Sequence, residues 1–225
     1  MKAIILAAGK GVRMKELTKD TPKPLLKVKG KAVLERNLEQ ILGLVEEVII
    51  VVGHKKEKIM AAFGTDYNGL KITYVIQKKQ LGTGDALKSV NDYDSGVLKE
   101  RFLLLMGDDI FFREDIENCL KHKNAILAKK VEDPSRFGVF IVKKGLIKEV
   151  IEKPKKFVSD LVNVALYVFD GIEMKGISLS ERGEIEFTDL VDDIVKERDV
   201  HCVIAKKWIS IATPEDLKKA EGLLK

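Results

Sequence analysis

Apolar residues in this chain follow two rhythms. Short runs rich in β-branched and aliphatic residues predict strands at Ala3–Ala7, Val48–Val52, Ile72–Ile76, Phe102–Met106 and Ala125–Lys129. Between them, Ala32–Leu42, Lys55–Phe63, Thr83–Val90 and Arg113–Lys121 predict helices. In the first of these, Val33, Leu34, Leu38, Ile41 and Leu42 recur at helical spacing. Strands and helices in alternation predict βαβ units packed on a mostly parallel sheet, whose ligands bind beyond the carboxyl ends of the strands.

The rhythm changes after about residue 130. Phe137–Val142 and Ile147–Ile151 flank the turn signal Lys143-Lys144-Gly145 and predict a hairpin, and Val162–Phe169 predicts a further strand. Helical spacing returns at Ile185–Lys196. Val200–Ala205 and a last helix from Pro214, with Thr213 as its N-cap, complete the pattern. No Ser/Gly-rich linker and no repeat divides the chain. The expectation is one α/β domain over residues 1–225 with an antiparallel insertion, its first part spanning 1–130 and its second 131–225.

Composition narrows the function classes. With 45% hydrophobic and 33% charged residues, the 225-residue chain excludes intrinsic disorder. The net charge of +5, from 40 basic against 35 acidic residues, is spread without a basic block. A nucleic-acid tract is therefore not expected, and a phosphorylated small molecule suits the balance better. Cys119 and Cys202 lie far apart without a CxxC motif, which predicts reduced, buried thiols. No signal-peptide pattern and no apolar stretch near the ~20 residues of a membrane span are present, so a cytoplasmic protein without membrane contact is expected.

Candidate chemistry begins after the first strand, at Leu6-Ala7-Ala8-Gly9-Lys10-Gly11-Val12-Arg13-Met14. Small residues and two glycines let backbone approach phosphate oxygens, and a helix start after the loop would favour an anion. The segment is not a Walker loop, which needs GK followed by Ser or Thr. Nor is it a dinucleotide fingerprint: Met14 stands where a third glycine belongs, and Val52-Gly53-His54 lacks the ribose-binding acid. Arg13 and Lys23 add cations, with Lys23 set in an extended segment between Pro22 and Pro24.

Gly9-Lys10-Gly11-Val12-Arg13-Met14 followed by Pro22-Lys23-Pro24-Leu25-Leu26 resembles the signature of the sugar-phosphate nucleotidyltransferases, such as glucose-1-phosphate thymidylyl- and uridylyltransferases. The likeness extends from Ala3 to about Ala220. It implies a Rossmann-like, mostly parallel but mixed sheet flanked by helices, of the nucleotide-diphospho-sugar transferase type, without the C-terminal β-helix of longer relatives. It also implies a nucleoside triphosphate (UTP or dTTP) and a sugar-1-phosphate (glucose-1-phosphate) as partners, with Mg²⁺ as cofactor. A homo-oligomer is compatible with this reading.

Residue roles follow from the same resemblance. The loop carrying Leu6, Ala8, Gly9 and Gly11 would wrap the triphosphate, with Arg13 and Lys23 neutralising it and the departing pyrophosphate. Gln77, with Gly82 and Thr83, would read the pyrimidine edge, while Thr83 also reads as a helix cap. Asp108, after Gly107 at the end of the fourth strand, would hold the metal, with Asp109 a neighbour or cap. Gly107, Gly138, Glu152 and Asn163 would form the sugar side, and Lys153 would hold the sugar phosphate. Glu184-Ile185-Glu186-Phe187-Thr188-Asp189 reads mainly as helix capping. His54, His122 and His201 are expected to serve structure or solvent.

Three positions depart from the family pattern. Ser210 stands where a second metal-binding Asp is usual, and Ala212 and Ala165 replace glycines. Magnesium held by Asp108, phosphates and water is one reading, and a substitute carboxylate is another. A third is a nucleotide or nucleotide-sugar binding regulator with a weakened site. Guanylyl or cytidylyl transfer to another phosphorylated substrate keeps the chemistry and changes the partners.

Overall fold

The computed structural model describes residues 1–175, 179–180 and 183–224. Strand β1 (Lys2–Ala7) leads through two 3-10 segments, Val12–Thr18 and Lys23–Leu25, to a two-strand hairpin of β2 (Lys27–Val28) and β3 (Lys31–Ala32). Three crossover units follow: α1 (Val33–Ile41) to β4 (Glu47–Val52), α2 (Lys56–Phe63) to β5 (Asp66–Tyr67) and β6 (Leu70–Ile76), and α3 (Thr83–Tyr93) to β7 (Arg101–Met106). Next come α4 (Arg113–Leu120), β8 (Ala125–Lys130), β9 (Gly138–Lys143), β10 (Leu146–Glu152) and β11 (Leu161–Asp170). The chain finishes with α5 (Phe187–Glu197), β12 (His201–Ile204) and α6 (Pro214–Leu223).

Ten strands join one mixed sheet in the order β5-β6-β4-β1-β7-β11-β8-β12-β10-β9. β6, β4, β1 and β7 are mutually parallel, whereas β11 lies antiparallel to both β7 and β8. β9 also touches β11 through Val139 and Val162, so this end curls back on itself. The expected hairpin turns at Lys144-Gly145 between β9 and β10.

The apolar runs are continuous because both faces of the sheet are covered. Along β1, Ala3, Ile5 and Ala7 face one layer while Ile4 and Leu6 face the other. The first layer brings Leu34, Leu38 and Ile41 of α1, Ile59 and Phe63 of α2, and Ile116 and Cys119 of α4. The second brings Ala86, Leu87 and Val90 of α3, with Leu190, Val191, Ile194 and Val195 of α5. A smaller cluster under α6 joins Met14, Val28, Val33, Ile110, Ile209, Ile211 and Ala220. Among the described residues, no helix is long and apolar enough to cross a membrane.

Strand order creates the site. From β1 the chain steps outward to β4 and β6, then returns to β7 on the opposite side of β1. Neighbouring carboxyl ends that lead the chain in opposite directions leave a crevice between their loops. Those loops follow Ala7 and Met106.

Several expectations change at the local level. Lys23 begins a 3-10 turn instead of lying in an extended segment; Pro22 and Leu26 on either side are extended. The segment after Gly11 is also 3-10, broken by Lys15 at φ +52, so no α-helix start lies behind the glycine loop. The predicted helix from Ile185 begins at Phe187, and α3 runs on to Tyr93. Cys119 is buried as expected, but Cys202 is only half-buried; both thiols are free. Burial raises both, Cys202 to about 11. His122 and His201 stack with ring centroids 4.0 Å apart.

Candidate active site

The crevice between β1 and β7 opens into a cleft of ≈ 560 Å³. Its walls unite Leu6, Ala8, Gly9, Gly11, Arg13, Lys23, Gln77, Gly82, Thr83 and Asp108 from four separate stretches of chain. Size and composition suit a small polar ligand.

The glycine loop has a defined shape. Gly11 sits at φ +65, and a Cβ there would lie 3.1 Å from both Lys23 Cβ and Thr18 Cγ2. Its carbonyl accepts from Met14 N–H at 2.9 Å and from Thr18 Oγ1 at 3.0 Å. A side chain would combine left-handed strain with a clash against the lysine. Arg13 is exposed on the cleft rim.

Lys23 is buried, and its Nζ donates to Asp108 Oδ2 at 2.6 Å. The Lys23 side chain is 8% exposed and that of Asp108 38%, so the carboxylate keeps an open side. Gly107 takes no part in the cleft wall. It packs against β1, where a Cβ would lie 3.1 Å from Ala7 Cβ, Ile5 Cγ2 and Leu6 O, and its N–H donates to Leu6 O at 2.9 Å. Its lack of a side chain lets the Asp108 loop close onto β1.

Asp109 turns away from Asp108 toward the C-terminal segment. It accepts from Trp208 Nε1 at 3.2 Å, Ser210 Oγ at 3.3 Å and Ile211 N–H at 2.9 Å. Ile110 and Ile209 exchange backbone hydrogen bonds beside it, at 2.9 and 3.1 Å. Burial, then the charge of Asp108, pushes the Asp109 carboxyl up to about 6, against the opposing pull of Lys23 and the donors. The hydroxyl of Ser210 is thus engaged in holding two loops together.

Asn37 was not anticipated. Fully buried on α1, it donates to Met106 O at 3.3 Å and Asp109 O at 2.8 Å, and accepts from Phe111 N–H at 3.1 Å. A lone amide on the apolar stripe of Val33, Leu34, Leu38 and Ile41 was the available sequence signal.

Thr83 does not cap its own helix. The N-cap of α3 is Gly82, while Thr83 Oγ1 accepts from Phe187 N–H at 3.0 Å, at the start of α5. The segment expected to supply helix capping gives no side-chain cap from Glu186; Glu184 and Glu186 instead line the cleft. Leu81 O accepts from Ile185 N–H at 2.6 Å and Gly84 N–H donates to Ile185 O at 2.8 Å. Gly82 is required there: its φ is +104, and a Cβ would meet Ile185 O at 2.5 Å.

Gly138, Glu152, Lys153 and Asn163 lie outside the wall of this cleft and form their own group. Gly138 and Glu152 are paired across β9 and β10. A Cβ on Gly138 would approach Glu152 Oε2 to 2.9 Å, Thr188 Cγ2 to 3.5 Å and Asn163 Cβ to 3.7 Å. Lys153 pairs with Glu152 at 3.1 Å and is half-exposed. Asn163 donates to Tyr167 OH at 2.8 Å and accepts from Ala165 N–H at 2.9 Å, spanning a bulge in β11. Thr188, in this group, stands two residues beyond cleft-lining Glu186.

Comparison with known proteins agrees with this architecture. Residues 2–224 match the family described as Nucleotidyl transferase. The bifunctional protein GlmU of Methanocaldococcus jannaschii is 37% identical over the whole chain, which spans 54% of that relative. The UTP–glucose-1-phosphate uridylyltransferase AglF of Haloferax volcanii is 35% identical, with 100% of this chain and 96% of AglF covered. A crystal structure assigned as a glucose-1-phosphate thymidylyltransferase from Bacillus anthracis superposes with a TM-score of 0.87 at 29% identity, covering 99% of this chain and 94% of that one. The chain thus spans about half the length of its GlmU relatives and nearly all of AglF. On the strength of this match, the chain belongs to the nucleotidyl transferase family.

Proposed function

We propose that this chain transfers a nucleotidyl group from UTP or dTTP to a sugar-1-phosphate, glucose-1-phosphate foremost, releasing pyrophosphate. The observation that carries the reading is the convergence of Gly11, Arg13, Lys23 and Asp108 with Gln77 in one cleft at the β1/β7 crevice. Full-length similarity to a uridylyltransferase supports the choice of substrates. Residues 1–130 bind the nucleotide in this account, and 131–225 present the sugar phosphate.

A phosphate oxygen of the sugar substrate attacks the α-phosphorus, and the bond to the β-phosphate oxygen breaks with its electrons leaving on pyrophosphate. No protein nucleophile is needed, so catalysis comes from alignment and charge stabilisation. The Gly9–Arg13 loop and Lys23 hold the leaving phosphates. Lys153 orients the attacking phosphate, while Gly138, Glu152 and Asn163 receive the sugar.

Magnesium takes one or two carboxylates and draws its other oxygens from phosphates and water. Asp108 fits that need with its open carboxylate side, whereas Asp109 is engaged by Trp208, Ser210 and Ile211. When bound, the ion would spread the negative charge of the phosphates. With a triphosphate in the cleft, Lys23 would exchange its bond to Asp108 for one to phosphate.

Lys23→Ala tests the assignment. Its kcat/KM should fall by about 10²-fold or more, as for loss of a cation serving the transition state. Its thermal midpoint should stay close to that of the parent, because Asp108 is left facing water. Unchanged kcat/KM would overturn the role of Lys23.

A further inference from the structure

Gln77 is 4% exposed and lines the cleft, yet its side-chain amide is committed on one side. The Nε2 group donates to Gly82 O at 3.1 Å and to Asp85 Oδ2 at 2.7 Å. These bonds use both amide hydrogens. Among the described residues, no donor reaches Gln77 Oε1.

The orientation of the amide follows from chemistry. Both neighbours are acceptors: a backbone carbonyl and a carboxylate. Turning the amide over would set Oε1 against the two oxygens and strand both hydrogens on the other side. The loop that carries Gly82 is itself fixed against Ile185 by backbone hydrogen bonds and by the left-handed φ of Gly82, so this acceptor cannot drift away. Asp85 lies in the first turn of α3 with no other hydrogen bond to its carboxylate among the described residues.

We infer that Asp85 is a specificity-positioning residue: by holding the Gln77 amide with its oxygen toward the ligand, it makes the site accept a base that presents a ring N–H and reject one that presents a ring nitrogen lone pair. Uracil and thymine carry such an N–H at N3. Cytosine, of nearly the same shape, places a lone pair there, opposite the Gln77 oxygen. The inference rests on the reading above that Gln77 faces the base, and it adds which way the amide points and what fixes it. Asp85 acts through Gln77 and touches no reacting atom.

The test is a comparison of UTP and CTP dissociation constants with Mg²⁺ by calorimetry, for the parent, Asp85→Asn, Gln77→Met and the double variant. In the parent, UTP should bind about 10²-fold more tightly than CTP, because a buried acceptor left facing a lone pair is costly. Asp85→Asn, whose amide meets either face of Gln77, should lower that ratio about tenfold, a change of ~1.4 kcal/mol. In the Gln77→Met background, Asp85→Asn should leave the ratio unchanged, since the effect passes through Gln77. A parent ratio near one overturns the inference, as does a ratio that Asp85→Asn does not move. An equal loss of both nucleotides with the ratio preserved also overturns it, because that reports loop damage alone. Turnover is measured separately: absence of transfer with the binding ratios as stated would fault the proposed reaction and leave the Asp85 assignment standing.

Discussion

Ala165 holds φ at +58 in the middle of β11, where the register against β8 shifts between Asn163 and Tyr167. For a residue with a Cβ this conformation costs roughly 1–2 kcal/mol, and only glycine takes it freely. The effect of the substitution therefore lies in the backbone as well as in the added methyl. The neighbouring bond from Ala165 N–H to Asn163 Oδ1 pins the bulge in place. Ala165→Gly should stabilise the protein by about 1 kcal/mol, seen as a higher denaturant midpoint with an unchanged slope. A midpoint that stays put or falls would show that the bulge is unstrained. Ser210 differs in kind: its neutral hydroxyl serves Asp109, and of the two acids after β7 it is Asp108 that lines the cleft.

Among elements, the join between α3 and α5 shapes one wall of the cleft. Thr83 Oγ1 receives the first N–H of α5, to which the N-cap residue Glu186 gives no side-chain cap. Thr83→Val should cost about 1 kcal/mol, the usual price of a lost N-cap, in chemical denaturation. An unaltered midpoint would mean that another group caps Phe187. A second joint lies at the far end of α4, where His122 stacks on His201 of β12. Burial first, then the charges of His201 and Lys121, holds His122 below its ordinary value. The unfolded chain takes up that proton near pH ~6.5, before the folded chain does. Stability present above this pH should therefore decline as pH falls from about 7 toward 5. Thermal melts across that window should show a shallower decline for His122→Gln than for the parent; identical slopes would exclude the pair as a source.

At the scale of the molecule, what was legible in the residues divides along a physical line. β1, β4 and β7 were readable because burial on both faces makes their runs continuously apolar, and Lys144-Gly145 marked the hairpin through turn chemistry. Thr213 was readable as a cap because its partner, Asp216, lies only three residues away. The two-residue strands β2, β3 and β5 were not, being too short to carry a period. Nor could local pattern say that Thr83 caps a helix 104 residues away, or that Asp109 meets Trp208 across 99. The closure of Lys23 onto Asp108, 85 residues apart, depends equally on the reversal of strand order. The glycine loop and the acid after β7 were identified from motifs, while the walls added by Glu184, Glu186 and Ala212 came only with the fold.

If this cleft joins two phosphorylated substrates, pyrophosphate must leave it, and its release can be measured. Purified protein with Mg²⁺ should be given each nucleoside triphosphate, with and without glucose-1-phosphate and other sugar-1-phosphates. Release should require both substrates and be greatest with UTP or dTTP. No release from any pair, while nucleotide still binds, would contradict the account and favour a nucleotide-binding regulator in which Ser210 marks a weakened site.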